Sequence, residues 1–448
     1  MSVKTSIHNL KSWLMKPAWV RQYRESLAHD EWSAEGLAEL NWNKRLAILK
    51  YAYENSPFYR QLYKEAGLEP GDVKTEKDWQ NVPMLTREAL RFNFETIRVR
   101  DYKVHAHKLY TTGGSTGEPS KVLKDDRFSF VALNWRALTW AGISRGENSA
   151  TIMRTHPTGL KGRIRHFLAW FPSVNLMLDA GAMNEKSIAE FLNDWRKYQP
   201  QTISSYVGGI HQLALYCLEN GIKLPHPKAI FTTAAPLPPA TRSVIAKAFS
   251  APVFDNYVAT EAHPMANQCR DLALDGSGHL HIHSDYRHLE FVDEDGVCVP
   301  NETFGDILVT DLEDCVFPIV RYRLGDRGRL MNRKCACGRP YPIMDAVHGR
   351  SFDFIYLEQG RIMGECWATA FDDCLNAVHN FQIHQKVDKS VTLRVVINKD
   401  YPDASACVTA VASDLQNQLG SIPLTVEYCD HIPHNRGKIK YIISDIKE

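Results

Sequence analysis

Tyr110 to Val122 reads Tyr-Thr-Thr-Gly-Gly-Ser-Thr-Gly-Glu-Pro-Ser-Lys-Val, and the rest of the chain is interpreted from this stretch. Gly113, Gly114 and Gly117 let the backbone wrap closely around a ligand. Successive N–H groups in such a loop form an anion-binding nest. The serines and threonines add donors, and Lys121 adds a point charge suited to phosphate. It is not a Walker loop: no lysine directly follows Gly117, and no Ser or Thr follows Lys121. Taken alone it reads equally as a phosphate loop or as a mobile surface turn. Four further segments, in order along the chain, favour the first reading.

A chain of 448 residues is too long for one compact core and implies two or three domains. With 44% hydrophobic and 23% charged residues, a folded globular protein is expected. A formal net charge of +1 gives no whole-protein attraction to nucleic acid or anionic lipid. No apolar run approaches the ~18 residues of a membrane span. The N-terminus lacks the apolar core of a signal peptide. The ten cysteines therefore read as reduced thiols or metal ligands, and a cytoplasmic location is expected.

Residues 1–24 hold five Lys or Arg and no acid. Val3, Ile7, Leu10 and Leu14 share a helical face bordered by Lys4, Lys11 and Lys16. The favoured reading is a helix packed on the body; the other is an arm lying on an anionic membrane surface. Residues 33–67 keep a helical pattern, with Leu37, Leu40, Leu46, Leu49 and Tyr53 on one face, broken at Ser56-Pro57.

After the glycine loop, helices are expected at 127–143, 185–198, 210–218 and 239–249. Strands are expected at 150–153, 202–206, 229–233 and 252–257. This alternation implies a mainly parallel sheet with helices on both faces, its ligands beyond the carboxyl ends of the strands. From 279 to 330 the period switches to two, as in an antiparallel β subdomain, with Asp293-Glu294-Asp295-Gly296 as a hairpin turn. The final hundred residues predict a small α+β domain. The expected architecture is α/β, with a large N-terminal domain and a small mobile C-terminal one. Its divisions are a helical region at 1–105, a core with the β subdomain at 106–348, and the C-terminal domain at 349–448.

The four further segments are the following. Tyr257-Val258-Ala259-Thr260-Glu261 closes a strand; its ring can stack on a purine and its carboxylate can hold Mg²⁺. Tyr322-Arg323-Leu324-Gly325-Asp326 places an acid after a strand and a glycine turn, where it can accept ribose hydroxyls. Pro433-His434-Asn435-Arg436-Gly437-Lys438 sets a lysine on a glycine turn, while Gly349-Arg350-Ser351-Phe352-Asp353 sits on the expected domain boundary.

With the glycine loop, these segments resemble the core motifs of the adenylate-forming enzymes. The phenylacetate–CoA ligase-like branch, and within it the proteins of capsular-polysaccharide clusters, is the most similar. Ser56-Pro57-Phe58-Tyr59-Arg60 and Cys335-Ala336-Cys337-Gly338-Arg339 are similar to that branch. The resemblance implies that Thr112, Gly113, Gly114, Ser115, Thr116, Gly117 and Lys121 hold the ATP phosphates. It places Ala234, Ala235 and Pro236 beside adenine, with Asn256 nearby and Tyr257 stacked on it. Thr260 meets the α-phosphate, Glu261 the Mg²⁺ and Asp326 the ribose. Arg350 lies near the nucleotide, and Lys438 bridges carboxylate and α-phosphate. Three positions depart from the pattern: Val258 replaces a glycine, Phe352 an aspartate and His434 an arginine.

Cys335-x-Cys337 is a tight pair, too close for an easy disulfide but suited to one metal. Cys269 and His281 lie across a loop at the edge of the same β subdomain. Four such ligands describe a structural zinc site. A period of two leaves His279, His281 and His283 equivalent; the resemblance to the branch's Cys…His…Cys-x-Cys order is what selects His281.

The expected activity is ATP-dependent adenylation of a small carboxylic acid, with transfer of the acyl group to coenzyme A. Transfer to an amine, in surface-polysaccharide tailoring, is the alternative acceptor chemistry, and a catalytically silent nucleotide-binding protein is the alternative of another class. No nucleic-acid partner is expected. Arg154, His156, Lys161, Arg163 and Arg165 read either as a greeting for an anionic substrate or coenzyme phosphate, or as a solvated basic loop.

Overall fold

The structure is a computed structural model that describes residues 3–111, 121–127, 130–153, 159–180, 183–347, 354–358, 361–363, 367, 370–371, 377–432 and 442–446. Contacts divide the chain into two compact units, 1–146 with 254–347, and 147–253 with 348–448.

The first unit begins with helices. Ala34–Asn55 starts where Ser33 accepts a hydrogen bond from the Gly36 N–H at 3.0 Å, an N-cap. Leu37 and Leu49 are buried as expected, while Asn41 and Arg45 are buried on the same helix. Asn41 donates to the Ser284 carbonyl at 2.6 Å, which accounts for its place inside. Ser56 ends this helix and caps Pro57–Glu65, so the proline opens a helix as well as closing one. Tyr59 of that second helix is fully buried, and its hydroxyl donates to the Pro318 carbonyl at 3.1 Å.

The glycine loop is flanked by an antiparallel pair, His107–Thr111 with Lys121–Asp125, which puts Thr111 opposite Lys121. The strands on either side of the loop thus pair with each other. Two antiparallel sheets complete the unit. One orders Val253–Tyr257, Ala266–Asn267, Leu280–Ile282, Ile343–Met344 and Leu330–Met331. The other orders Arg287–Val292, Gly305–Asp311 and Tyr322–Gly328. The turn expected at 293–296 is present: the Gly296 N–H donates to the Asp293 carbonyl at 3.2 Å, and Val292 bridges Cys298 antiparallel, while Gly305–Asp311, the strand that pairs along Arg287–Val292, follows after a connection of twelve residues.

In the second unit, Ser149–Met153, Asn175–Asp179, Thr202–Tyr206 and Ala229–Thr233 pair in parallel, with Ser149–Met153 between Asn175–Asp179 and Thr202–Tyr206. Helices Glu185–Tyr198, Val207–Glu219 and Pro239–Phe249 supply Trp195, Ile210, Leu213 and Phe249 to its core. Residues 354–442 of the same unit have a separate core. Helix Ala404–Leu419 sends Val408, Leu415 and Leu419 into it, and the sheet order there is Leu424–Tyr428, Val391–Ile397, Val378–Gln385, Ile442–Ser444. The mixed α/β architecture is as read from the sequence. No described helix is long and apolar enough to cross a membrane.

Residues 159–170 differ from the expected basic loop: they form the helix Gly159–Trp170. The N-terminal helix Val3–Met15 packs on the first unit, but Thr5 and Ser12 are the residues it buries.

Candidate active site and cysteine–histidine cluster

The turn after Tyr257 is held by its main-chain carbonyls. Lys124 donates to the Glu261 carbonyl. Arg287 donates through Nε to the Ala262 carbonyl at 3.1 Å and through Nη2 to the His263 carbonyl at 3.0 Å. Both cations are nearly out of water, and acids compensate them: Asp311 lies 3.0 Å from Lys124 and 2.9 Å from Arg287, and Asp314 lies 3.3 Å from Lys124. Burying a cation is tolerable only with such partners. The turn is therefore gripped from its backbone side, and the Glu261 carboxylate accepts only the Tyr322 hydroxyl, at 3.3 Å, among the described hydrogen bonds.

His263 stands beside this turn, between the rings of Tyr110 at 5.8 Å and Phe130 at 4.5 Å. Burial, reinforced by Lys124 and Arg287, pushes it down to about 4, so its ring is neutral near pH 7. Burial raises Asp314 to about 6, with Asp311 adding and Lys124 opposing. Lys124, Arg287 and Asp311 were not singled out from the sequence. The available signal was a charged residue inside an apolar strand, as in Lys-Val-Leu-Lys at 121–124.

Tyr257 donates its hydroxyl to Asp326 at 2.9 Å. Asp326 lies within Tyr322–Gly328 rather than after it. The register slips between Asp306 and Leu308, and Gly325 takes φ +79°, so a bulge re-aims the aspartate.

Asn256 is positioned by a chain of side chains reaching back into the core. Arg136 is fully buried on helix Phe130–Trp140 and ion-paired with Asp285. Its guanidinium also meets His283 Nδ1, His283 Nε2 meets Asn267 Oδ1, and Asn267 Nδ2 meets Asn256 Oδ1. An arginine only donates. His283 must accept at Nδ1 and donate from Nε2, and Asn267 must then donate to Asn256. Burial and Arg136 hold His283 well below its ordinary value, which keeps it neutral for this role. The buried cation thereby sets the direction of every hydrogen bond in the chain, and Asn256 is left with its amide donors for other use.

In the second unit Ala234 follows the strand Ala229–Thr233 with φ +74°, a conformation an alanine takes only where the surroundings impose it. Lys121 is exposed at the first residue of its strand. Val258 is 37% exposed. The glycine-loop residues Thr112 to Gly117, Arg154, His156, Arg350, Phe352, His434 and Lys438 lie outside the described residues.

The ligand atoms of Cys269, His281, Cys335 and Cys337 all lie within 4.8 Å of one another. Cys269 Sγ is 3.5 Å from Cys335 Sγ, and Cys337 Sγ is 3.3 Å from His281 Nε2. A disulfide would need about 2.05 Å. Sulfurs sharing a tetrahedral zinc stand about 3.8 Å apart, from Zn–S bonds of about 2.3 Å. The donor set and its spacing fit zinc with no ligand position left open. The other two histidines face elsewhere: His279 meets Arg333 at 3.0 Å, and His283 belongs to the arginine chain.

No family profile matches the chain. It is 25% identical over 445 residues to protein CapK of Staphylococcus aureus, covering 97% of this chain and 94% of that one. It is 27% identical over 343 residues to a phenylacetate-coenzyme A ligase of Escherichia coli, covering 74% of each. Among solved structures, a 2-hydroxyisobutyryl-CoA ligase in the postadenylation state superposes with a TM-score of 0.73 at 20% identity, covering 93% of this chain and 91% of that one. The chain is similar in sequence to CapK and to phenylacetate-coenzyme A ligases, and it shares the fold of the adenylate-forming ligases. An amide bond synthetase, McbA of Marinactinospora thermotolerans, shares the fold at a TM-score of 0.51 and 14% identity, over 71% of this chain and 65% of that one. The adenylate-forming fold therefore serves proteins named for thiol and for amide chemistry, and the fold alone does not choose between them.

Proposed function

We propose that the protein is a ligase that uses ATP to adenylate a small carboxylic acid and passes the acyl group to coenzyme A. The carrying observation is the turn at Thr260 and Glu261, fixed by its carbonyls through two buried cations, with Tyr257 locked to Asp326 beside it. A turn built this way positions an acid without engaging it, as a nucleotide–metal site requires.

In this reading the acid's carboxylate attacks the α-phosphorus of ATP, and the bond to the β-phosphate breaks. Pyrophosphate leaves, and the product is an acyl-adenylate. The thiolate of coenzyme A then attacks the acyl carbon, and AMP departs with the electron pair. The repulsion between two anions is the first barrier, and preorganised donors lower it. Residues 112–117 and Lys121 would hold the β- and γ-phosphates, and Lys438 the α-phosphate and carboxylate. Ala234, Ala235 and Pro236 would flank adenine, with Tyr257 stacked on it and Asn256 offering its amide donors. Asp326 would hold the ribose, and Arg350 would lie near the nucleotide. Glu261 would take Mg²⁺, which supplies charge neutralisation when bound. Holding both reactants removes up to ~7–11 kcal/mol of entropic barrier in the best cases. Cys269, His281, Cys335 and Cys337 would hold a structural zinc. The strand carrying His281 pairs with Ala266–Asn267, next to the Asn256 strand, so the zinc would brace the sheet that bears Tyr257.

The test is acid-dependent ATP–pyrophosphate exchange over a panel of carboxylic acids, with coenzyme A and amines offered in turn. Exchange with one acid class, and a thioester on adding coenzyme A, is expected. ATP binding with no exchange for any acid would make this a silent nucleotide-binding protein; product only with amines would reassign the acceptor.

A further inference from the structure

Two helices, one in each unit, turn a row of apolar side chains to solvent. In the second unit, Gly159–Trp170 buries no residue. At 100° per residue, Leu160, Ile164 and Phe167 form one stripe, and Gly162, His166 and Trp170 lie on the other side. That other side is the half-buried one, and the His166 ring meets the Asn175 carbonyl at 3.1 Å. Leu160 is 74% exposed, Ile164 50% and Phe167 59%. Lys161 and Arg163 flank the stripe on its two edges, and residues 159–171 contain no Asp or Glu.

The first unit repeats the construction. Thr5 and Ser12 of Val3–Met15 are buried, and His8 lies edge-on to Trp135 at 6.1 Å. The opposite stripe is Val3, Ile7, Leu10 and Leu14, with Val3 77% and Leu14 63% exposed. Lys4 and Lys11 border it, and residues 1–24 hold no acid.

A row of exposed apolar side chains marks a surface that something covers. The charges decide what. A second copy meeting either helix about a twofold axis would set each lysine and arginine against its own kind. An anionic bilayer accepts both features at once, with apolar side chains at the acyl boundary and cations among the headgroups. We propose that Gly159–Trp170 and Val3–Met15 each bind an anionic lipid surface. This goes beyond the ligase reading and does not depend on it.

The experiment is flotation of the full-length protein with vesicles of phosphatidylcholine alone or mixed with phosphatidylglycerol, at low and high salt. Expected is partition onto the phosphatidylglycerol vesicles at least ~10-fold stronger than onto phosphatidylcholine, and released by high salt. The paired changes Ile164→Ser with Phe167→Ser, Leu10→Ser with Leu14→Ser, and Lys161→Glu with Arg163→Glu should each weaken it, by at least ~10-fold for the charge reversal. All these side chains are exposed, so melting temperatures should match the parent; the parent's own lipid and salt dependence tests the proposal even if one variant misfolds. No flotation with phosphatidylglycerol overturns it, as does equal partition onto both vesicles. So does a concentration-dependent dimer, seen by sedimentation, that Ile164→Ser with Phe167→Ser abolishes.

Discussion

In the proposed site, Glu261 would be positioned by residues that bind only the backbone of its turn. Three consecutive carbonyls, of Glu261, Ala262 and His263, are held by Lys124 and Arg287, which fixes the backbone of the turn and leaves the carboxylate to the role proposed for it. Glu261→Gln keeps the size and loses the charge. It should weaken the Mg²⁺ dependence of turnover while the protein melts as before, and a Mg²⁺ titration of the rate that matches the parent would remove the assigned role. The same cluster carries a pH signature. Asp314 is raised to about 6, so it binds its proton more tightly folded than unfolded. Its contribution to stability is full below the unfolded value near ~3.9 and is lost as pH rises through about 6. Denaturant midpoints followed across that window should fall, and Asp314→Asn should flatten the fall. Parallel curves for parent and variant would refute this. At this scale the motif residues were legible in the sequence because each sits in a short contiguous string. Lys124, Arg287, Asp311 and Asp314 were not, because what they do arises from contacts between strands far apart in the chain.

At the scale of elements, the cysteine–histidine cluster and the Arg136 chain lie side by side, with the Trp140 ring 5.6 Å from His281 and 5.2 Å from His283. Cys269 opens the helix Arg270–Leu274, His281 comes from Leu280–Ile282, and Cys335 with Cys337 comes from the segment after Leu330–Met331. Cys335→Ser should abolish a stoichiometric zinc found by elemental analysis in the parent, and should lower the melting temperature, since structural zinc contributes folding energy directly. Metal-free parent protein of unchanged stability would defeat the site. A period of two treats His279, His281 and His283 alike, whereas the structure gives them three different partners. The reason is that Leu280–Ile282 is only three residues long, and His283 has already left the strand. The helix Gly159–Trp170 was not foreseen in either reading of its cations for a related reason. Its glycines and cations suggested solvent, while its apolar stripe, which faces outward, could not be recognised as a core face.

For the whole molecule, the adenylation reading requires a charge from a distant part of the chain to reach the α-phosphate. Lys438→Ala should cut acid-dependent pyrophosphate exchange by at least ~10²-fold, the scale of losing one preorganised donor, while ATP still binds. Exchange at the parent's rate would exclude the lysine from the reaction.

The sequence by itself determined the resemblance to adenylate-forming ligases, the α/β character and the order of the motifs. These depend on local periodicity and short contiguous strings, and both survive without any knowledge of what packs against what. Strand Thr202–Tyr206 and helices Glu185–Tyr198 and Pro239–Phe249 stand where periodicity puts them. Only the tertiary structure decided that the glycine loop joins an antiparallel hairpin, that Asp326 sits on a bulge under Tyr257, and that two amphipathic helices face outward. It also decided which buried cations grip the Glu261 turn. Periodicity reports that a helix or strand has two faces; which face meets the interior, and which charge finds which partner, is settled by contacts across hundreds of residues.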